Sequence, residues 1–262
     1  MTLPTYYEFG VDLITTYDLD PIYPMVVAAD LDDSTLKKWL LAYWCYYDAG
    51  VASRIAESKD FYMAMKQGVA EGWPRGMERR YFYSKQAMNC INGLIEAGKP
   101  EEIVDFMTQY DDFQSLSDAV ISFTGFGPWM AWKIGDMAER VLQIDVDFSN
   151  SELGIYKDPL QGAAYIKCGD KNYPISLDEL HGVCETMEDD FSLYLAPPFL
   201  DRPINIQEVE TVLCKYKAHC FGHYPYGNDT IHIAKALERQ EDDLSEHMYD
   251  CLLSFTTYLE DN

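Results

Sequence analysis

Ser117–Asp147, SDAVISFTGFGPWMAWKIGDMAERVLQIDVD, is the stretch on which the fold turns. A short amphipathic run ends at Phe123, the chain bends through Thr124-Gly125-Phe126-Gly127-Pro128, and a second periodic run goes from Trp129 to about Leu142. Gly125 and Gly127 can take backbone angles that other residues avoid, and Pro128 suits a first helical turn. The spacing therefore predicts two helices joined by a tight hairpin, the second one starting with N–H groups that have no partner inside the helix. Such a helix start attracts anions, by about 0.3–1 kcal/mol per charge before hydrogen bonds are counted. A DNA phosphate fits it without any side-chain cation. Two glycines around one residue also mark an ordinary helix–turn–helix corner. The added feature is Asp147, 20 residues after Gly127 and beyond an apolar exit, Val141-Leu142-Gln143-Ile144. Asp145 is the rival carboxylate, and either one can simply cap the turn at Ser149 or Asn150.

Outward from the hairpin the helical pattern continues. Ser34 is placed to cap a run in which Leu36, Trp39, Leu40, Tyr43, Trp44 and Tyr47 recur at helical spacing. Ser84 opens another run that stops at Gly98, and Pro100 starts the next. Ser176 with Glu179, and Asn205 with Glu208, have capping-box spacing. A last helix is expected from about Leu244 to Tyr258. From 148 to about 175 the pattern loosens, with Gly154, Pro159, Gly162, Gly169 and Pro174 pointing to a loop-rich insertion or a short hairpin around Ala163–Ile175. The expected architecture is all-α, one helical catalytic unit over 1–262, with the hairpin element at 117–147 and the insertion at 148–175.

Composition limits what this architecture can do. The chain has 262 residues, enough for one sizeable core, and no apolar run long enough to span a bilayer. The first 20 residues carry neither a basic leader nor an apolar signal core, so a cytosolic protein is expected. Seven cysteines form no CxxC pair, as suits reduced thiols. With 20 basic and 44 acidic residues the net charge is −24, which argues against an indiscriminate nucleic-acid binder. Screening confines exposed charges to about 8 Å at physiological salt, however, so a locally basic cleft can work on an acidic body.

Two constellations hold much of the scarce positive charge. Trp73-Pro74-Arg75-Gly76-Met77-Glu78-Arg79-Arg80 places Arg75, Arg79 and Arg80 at one turn, and guanidinium groups bind phosphate bidentately. The plain alternative is a solvated surface turn. The second is Cys214-Lys215-Tyr216-Lys217-Ala218-His219-Cys220-Phe221-Gly222-His223-Tyr224-Pro225-Tyr226-Gly227-Asn228-Asp229. Its cysteines and histidines can be read as a zinc site, but Cys214 and His219 point to different angles of a helix and no remote CxxC completes the set. A donor-rich pocket wall is the preferred reading, with Lys217 toward an anion and His219 or His223 for proton transfer. Glu57, at the end of an aromatic run from Tyr43, and Asp229 are candidates for holding an amine.

The hairpin with its aspartate resembles the helix-hairpin-helix DNA glycosylases. In that superfamily the hairpin grips backbone phosphate, here through Thr124, Gly125, Gly127, Pro128 and Trp129, and an aspartate at the offset of Asp147 faces a flipped base. The glycosylases that also cut the strand carry a lysine where this chain has Trp129, so Schiff-base chemistry is not expected. Taken together, WPRGMERRYF, TGFGPW with Asp147, and KAHCFGHYPYGND resemble the bacteriophage amino acid:DNA transferases, also described as α-glutamyl/putrescinyl-thymine pyrophosphorylases. The likeness spans about Trp39 to Leu237, and the region Asp158–Pro203 matches no pattern of that family.

The resemblance implies a reaction on double-stranded phage DNA carrying a modified uracil. The phosphate or pyrophosphate of 5-phosphomethyl-2'-deoxyuridine would be displaced by the amine of a free amino acid, glycine first among them. The product would be a hypermodified thymidine that shields the viral genome from restriction in the host cytoplasm. Arg75, Arg79 and Arg80 would face the leaving group, and Asp147, or else His219 or His223, would take the amine's proton. No metal, ATP or organic cofactor is called for. Two other readings stand beside it: a monofunctional glycosylase, which needs no leaving-group site for phosphate, and a non-catalytic acidic DNA mimic or binding protein.

Overall fold

The computed structural model describes residues 3–240 and residue 250. The helix expected at Leu244–Tyr258 lies outside the described residues. Among those residues there are thirteen α-helices, two short 3-10 turns and no strand, so the chain is all-helical, as expected. The helices are α1 (Tyr6–Thr15), α2 (Ile22–Ala28), α3 (Asp33–Tyr46), α4 (Ala49–Ala56) and α5 (Phe61–Glu71). They continue with α6 (Ser84–Ala97), α7 (Pro100–Thr108), α8 (Phe113–Ile121) and α9 (Pro128–Arg140). The last four are α10 (Lys157–Cys168), α11 (Leu177–Phe191), α12 (Ile206–Cys220) and α13 (Asn228–Glu238). The 3-10 turns are Met77–Arg79 and Leu153–Ile155.

The chain divides into two compact units: one from 3–24 and 148–230, the other from 25–147 and 231–240. In the first, α12 packs on α1, α10 and α11. Gly10 sits under Phe191, where a Cβ would lie 2.3 Å from the ring. Both predicted capping boxes, Ser176 with Glu179 and Asn205 with Glu208, are formed.

The stretch expected to be loop or hairpin corrects the sequence reading, because 157–168 is helix α10. Pro159 falls in its first turn, where a backbone N–H has no helical partner to lose. Gly162 is no break either. A Cβ there would lie 2.3 Å from the Leu213 carbonyl oxygen, so the missing side chain lets α10 meet α12 backbone to backbone.

In the second unit, α3 and α9 supply the core. Trp39, Trp44 and Trp132 are all but fully buried, and Trp44 Nε1 donates to Met137 Sδ at 3.2 Å. The N-cap of α3 is Asp32 rather than Ser34: the Asp32 carboxylate accepts from Thr35 N, while the Ser34 hydroxyl bonds Glu101 at 2.6 Å. Helix α9 carries charge inside. Lys133, Asp136 and Arg140 are nearly inaccessible, with Asp136 3.3 Å from Arg140 and 3.8 Å from Lys133. Buried charges of this kind persist only when paired.

Candidate functional site

The hairpin forms where the sequence placed it. Helix α8 ends at Ile121, the chain turns through 122–127, and α9 starts at Pro128. Only one of the two glycines needs its special freedom. Gly125 has φ +92°, whereas Gly127, the N-cap of α9, is at −129°. Gly125 also needs space, since a Cβ there would lie 3.0 Å from that of Cys90. No side-chain cap hydrogen bond is formed at the start of α9. Thr124, Gly125 and Pro128 are exposed, and Gly127 and Trp129 are half-buried. The Trp129 ring packs on Tyr47, 5.5 Å between centroids.

Arg79 joins the arginine turn to this hairpin. Its Nη1 donates to the Gly125 carbonyl at 2.8 Å and its Nε to the Cys45 carbonyl at 3.0 Å. The guanidinium carbon lies 5.0 Å from the Phe82 ring and 5.1 Å from the Phe126 ring. The residue is 8% exposed, so the middle arginine of the turn is a buried brace and not a solvent-facing ligand. Its Nη2 is buried with no hydrogen-bond partner among the described residues. The turn also docks on the end of α3: Gly76 N donates to Tyr46 O, and a Cβ on Gly76 would strike the Tyr47 carbonyl at 2.3 Å. Arg75 is half-buried and donates to Phe82 O at 2.7 Å, while Arg80 is exposed and donates to Met77 O at 3.1 Å.

Asp147 stands at the other end of α8. Its N–H donates to Asp111 O at 2.8 Å and its carbonyl accepts from Phe113 N at 3.0 Å, a short parallel bridge with Asp112. Phe113 in turn packs edge-on against Trp132 of α9, 5.4 Å between centroids. The backbone of Asp147 is therefore fixed, and its side chain is exposed. Nine residues of α8 separate it from the glycine bend, about 13 Å at helical rise. Asp145 is exposed as well, with Val146 buried between them. Glu57 is the C-cap of α4 in the same unit and is exposed.

The third motif belongs to the first unit, and it holds a polar network that the sequence reading missed. Lys215, 9% exposed, donates to Asp18 O at 2.6 Å, to the Tyr224 hydroxyl at 2.8 Å, and pairs with Asp229 at 2.7 Å. The Tyr224 hydroxyl donates to Asp18 Oδ1 at 3.2 Å, and Gly227 N donates to Asp18 Oδ2 at 2.9 Å. Burial raises the Asp18 carboxyl above the usual range, and the Lys215 ammonium pulls it back. Burial likewise raises the Tyr224 phenol, helped by Asp229 and Asp18. Lys217, the lysine singled out from sequence, points elsewhere and is held by Asp158 and, at 3.4 Å, by Gln161. Spacing offered one signal: Lys215 is four residues before His219 and so shares its helix face, whereas Lys217 does not.

His219 is the better defined of the two histidines. Its Nδ1 lies 2.8 Å from the Tyr224 carbonyl oxygen, and Phe9 and Tyr226 pack on the ring at 4.8 and 5.0 Å. A carbonyl only accepts, so Nδ1 carries the hydrogen in this contact. His223 is exposed. An open cavity of about 450 Å³ in the same unit is lined by Tyr6, Lys167, Glu179 and Met187 among others, and by none of the predicted site residues.

Comparison with known proteins bears on both units. The model of a family described as amino acid:DNA transferase matches residues 16–224. A glycinyltransferase of Pseudomonas phage PaMx11 is 35% identical over 258 residues, covering 87% of this chain and 88% of the relative. A putrescinyltransferase of Delftia phage PhiW-14 is 25% identical over 247 residues, covering 89% of this chain and 78% of the relative.

Proposed function

This chain belongs to the amino acid:DNA transferase family and is an enzyme of that type, and from that premise we propose its particular reaction: the phosphate or pyrophosphate of 5-phosphomethyl-2'-deoxyuridine in phage DNA is replaced by the amine of glycine. The likeness to a glycinyltransferase over most of both chains supports glycine as the amine. The product is an N-linked hypermodified thymidine, made in the host cytoplasm on the viral genome. No helix among the described residues is long and apolar enough to cross a membrane.

The observation that carries this reading is the bond from Arg79 to Gly125, which makes the arginine turn and the hairpin one piece. The bend grips the strand through backbone N–H groups at the start of α9. The target nucleotide must leave the stack before its exocyclic carbon is reached, a step that costs a few kcal/mol. At that carbon a C–N bond forms and the C–O bond to the phosphoryl group breaks, with the electron pair leaving on the anion. Arg75 and Arg80 stabilise the departing charge, and Arg79 adds its charge from beneath the bend. An ammonium is not nucleophilic, so a base takes one proton from the amine. Asp147, in the unit that holds the hairpin and the arginine turn, is the proton acceptor assigned to this step, with His219 as the alternative to it. Glu57, in that same unit, is the carboxylate assigned to the incoming ammonium, with Asp229, which Lys215 holds, as the alternative to it.

The test is incubation of the protein with phosphomethyluracil DNA and a panel of amino acids, followed by digestion and nucleoside mass analysis. A new nucleoside carrying glycine is expected. Unchanged phosphomethyl-deoxyuridine with every amine would overturn the reading.

A further inference from the structure

We propose that the turn carrying Tyr81 and Tyr83 is a base-stacking surface, on which unpaired bases of the DNA substrate rest beside the hairpin. The inference rests on DNA being the substrate and goes beyond the phosphate grip and the leaving-group site.

The first observation is exposure. Tyr81 is 61% exposed and Tyr83 49%, while Phe82 between them is 4% exposed. The backbone turns tightly here, with Phe82 N donating to Arg79 O at 2.7 Å and Tyr83 N donating to Tyr81 O at 3.0 Å, an i to i+2 turn centred on Phe82. Phe82 is driven into the core against Tyr46, edge to face at 5.2 Å, and both tyrosines stand out on the solvent side. Met77, 72% exposed, belongs to the same turn.

Exposed tyrosines scattered singly are ordinary and need no partner. These two differ in how they are held. The Arg80 guanidinium lies 4.8 Å from the Tyr81 ring and that of Arg75 5.4 Å from the Tyr83 ring. Each guanidinium is itself fixed to a backbone carbonyl, Arg80 to Met77 and Arg75 to Phe82. The rings therefore sit in set orientations with a flat cation against each. That combination suits nucleobases, whose faces stack on aromatic rings and on guanidinium planes alike, and whose phosphates want the charge.

Charge and position single out DNA as the occupant. In a chain of net charge −24, three arginines stand at this one turn, with Lys85 exposed just after it. The turn is tied to the hairpin by Arg79 and to the end of α3 by Gly76 N on Tyr46 O, next to Tyr47, whose ring packs on Trp129. A strand gripped by its phosphate at the hairpin thus brings its bases toward an arginine-backed aromatic surface. When the target nucleotide turns out of the duplex, its neighbours lose a stacking partner, and tyrosine faces supply one.

The experiment uses the full chain and a DNA duplex with one 2-aminopurine beside an unpaired target position, compared with the fully paired duplex. Wild-type protein is expected to quench the 2-aminopurine on the unpaired duplex. The double variant Tyr81→Ala/Tyr83→Ala is expected to lose most of the quenching and about tenfold in affinity there, less on the paired duplex, with the salt dependence of binding unchanged. Tyr81→Phe/Tyr83→Phe keeps the rings and is expected to match wild type; both variants should melt at the wild-type temperature, because the side chains are exposed. Wild-type quenching and affinity in the alanine pair, or an equal loss in the phenylalanine pair, would overturn the proposal. A wild-type protein that binds and quenches but transfers no amine would sink the reaction proposed above while leaving this surface in place.

Discussion

The Arg79 guanidinium reaches from the arginine turn to the carbonyl oxygen of Gly125, 2.8 Å away, and so ties the segment with the most concentrated positive charge to the bend expected to hold a phosphate. Its second bond, to Cys45 O, ties both to the end of α3. A side chain that sequence alone offers as an anion ligand is thus also a structural strut.

Replacing Arg79 by Ala should therefore damage stability as well as activity. Two carbonyls lose their donor inside the protein, and a loss of about 2–4 kcal/mol is expected in urea unfolding. Arg79→Lys keeps the charge but cannot serve two carbonyls from one fork. It should recover less than half of that stability, with DNA affinity falling at the same time. Wild-type unfolding of Arg79→Ala would remove the strut.

Asp147→Asn separates chemistry from fold. Both main-chain bonds of Asp147 survive the substitution and the side chain is exposed, so the fold should be retained. If this carboxylate takes the amine's proton, single-turnover transfer should fall roughly 100- to 10,000-fold with DNA affinity retained. His219→Gln is the matching variant for the other acceptor. A large fall in one and little in the other assigns the base; near-normal rates in both would leave the proposed proton transfer without a group to perform it.

Glu179 sets the acid limb of stability in the first unit. Its carboxyl is pushed down from the ordinary 4.5 to about 2, chiefly by the Ser176 N–H, with desolvation opposing, and then by the Ser176 hydroxyl, Lys167 and Tyr173. A lowered folded-state value means that the unfolded chain binds the proton more readily. The stabilisation is present in full above about pH 4.5 and is lost as pH falls toward 2. Glu179→Gln should melt lower than wild type at pH 6, and the two should converge near pH 2. Parallel curves across that range would show that the capping carboxylate does not carry this effect.

Gly162→Ala probes the contact between α10 and α12. Its methyl would meet the Leu213 carbonyl at 2.3 Å, so the helices must part or the backbone must bend. Overpacking of this kind costs about 1–3 kcal/mol, more than the helix propensity gained. Chemical denaturation should show the loss, and a neutral or stabilising result would mean that the two helices can separate freely.

The sequence displays what local chemistry decides. Glycine and proline fix the hairpin, and both capping boxes are read from two residues each. It hides what tertiary contact decides. Pro159 and Gly162 read as breaks because their helical roles, a first-turn position and a backbone contact with Leu213, depend on another helix. Ser34 loses the cap of α3 to Asp32, and its own partner, Glu101, is 67 positions away. Nothing in the turn at 75–80 distinguishes the arginine that goes inside from the two that stay nearer the surface. The choice of Lys217 over Lys215 failed to anticipate the buried network for the same reason: the deciding neighbour, Asp18, is 197 residues from Lys215.

The placement of cations has a kinetic consequence. Lys133, Arg140, Arg79 and Lys215 are all under one-tenth exposed, so an approaching polyanion first meets an acidic exterior and only at short range the arginine turn. At about 0.01 M salt the screening length is roughly 30 Å and repulsion by the whole body governs the approach; at 0.15 M it is about 8 Å and the local attraction is what remains. Capture of DNA should then be fastest at an intermediate ionic strength, slowing on both sides, unlike the steady decline shown by proteins that are basic all over.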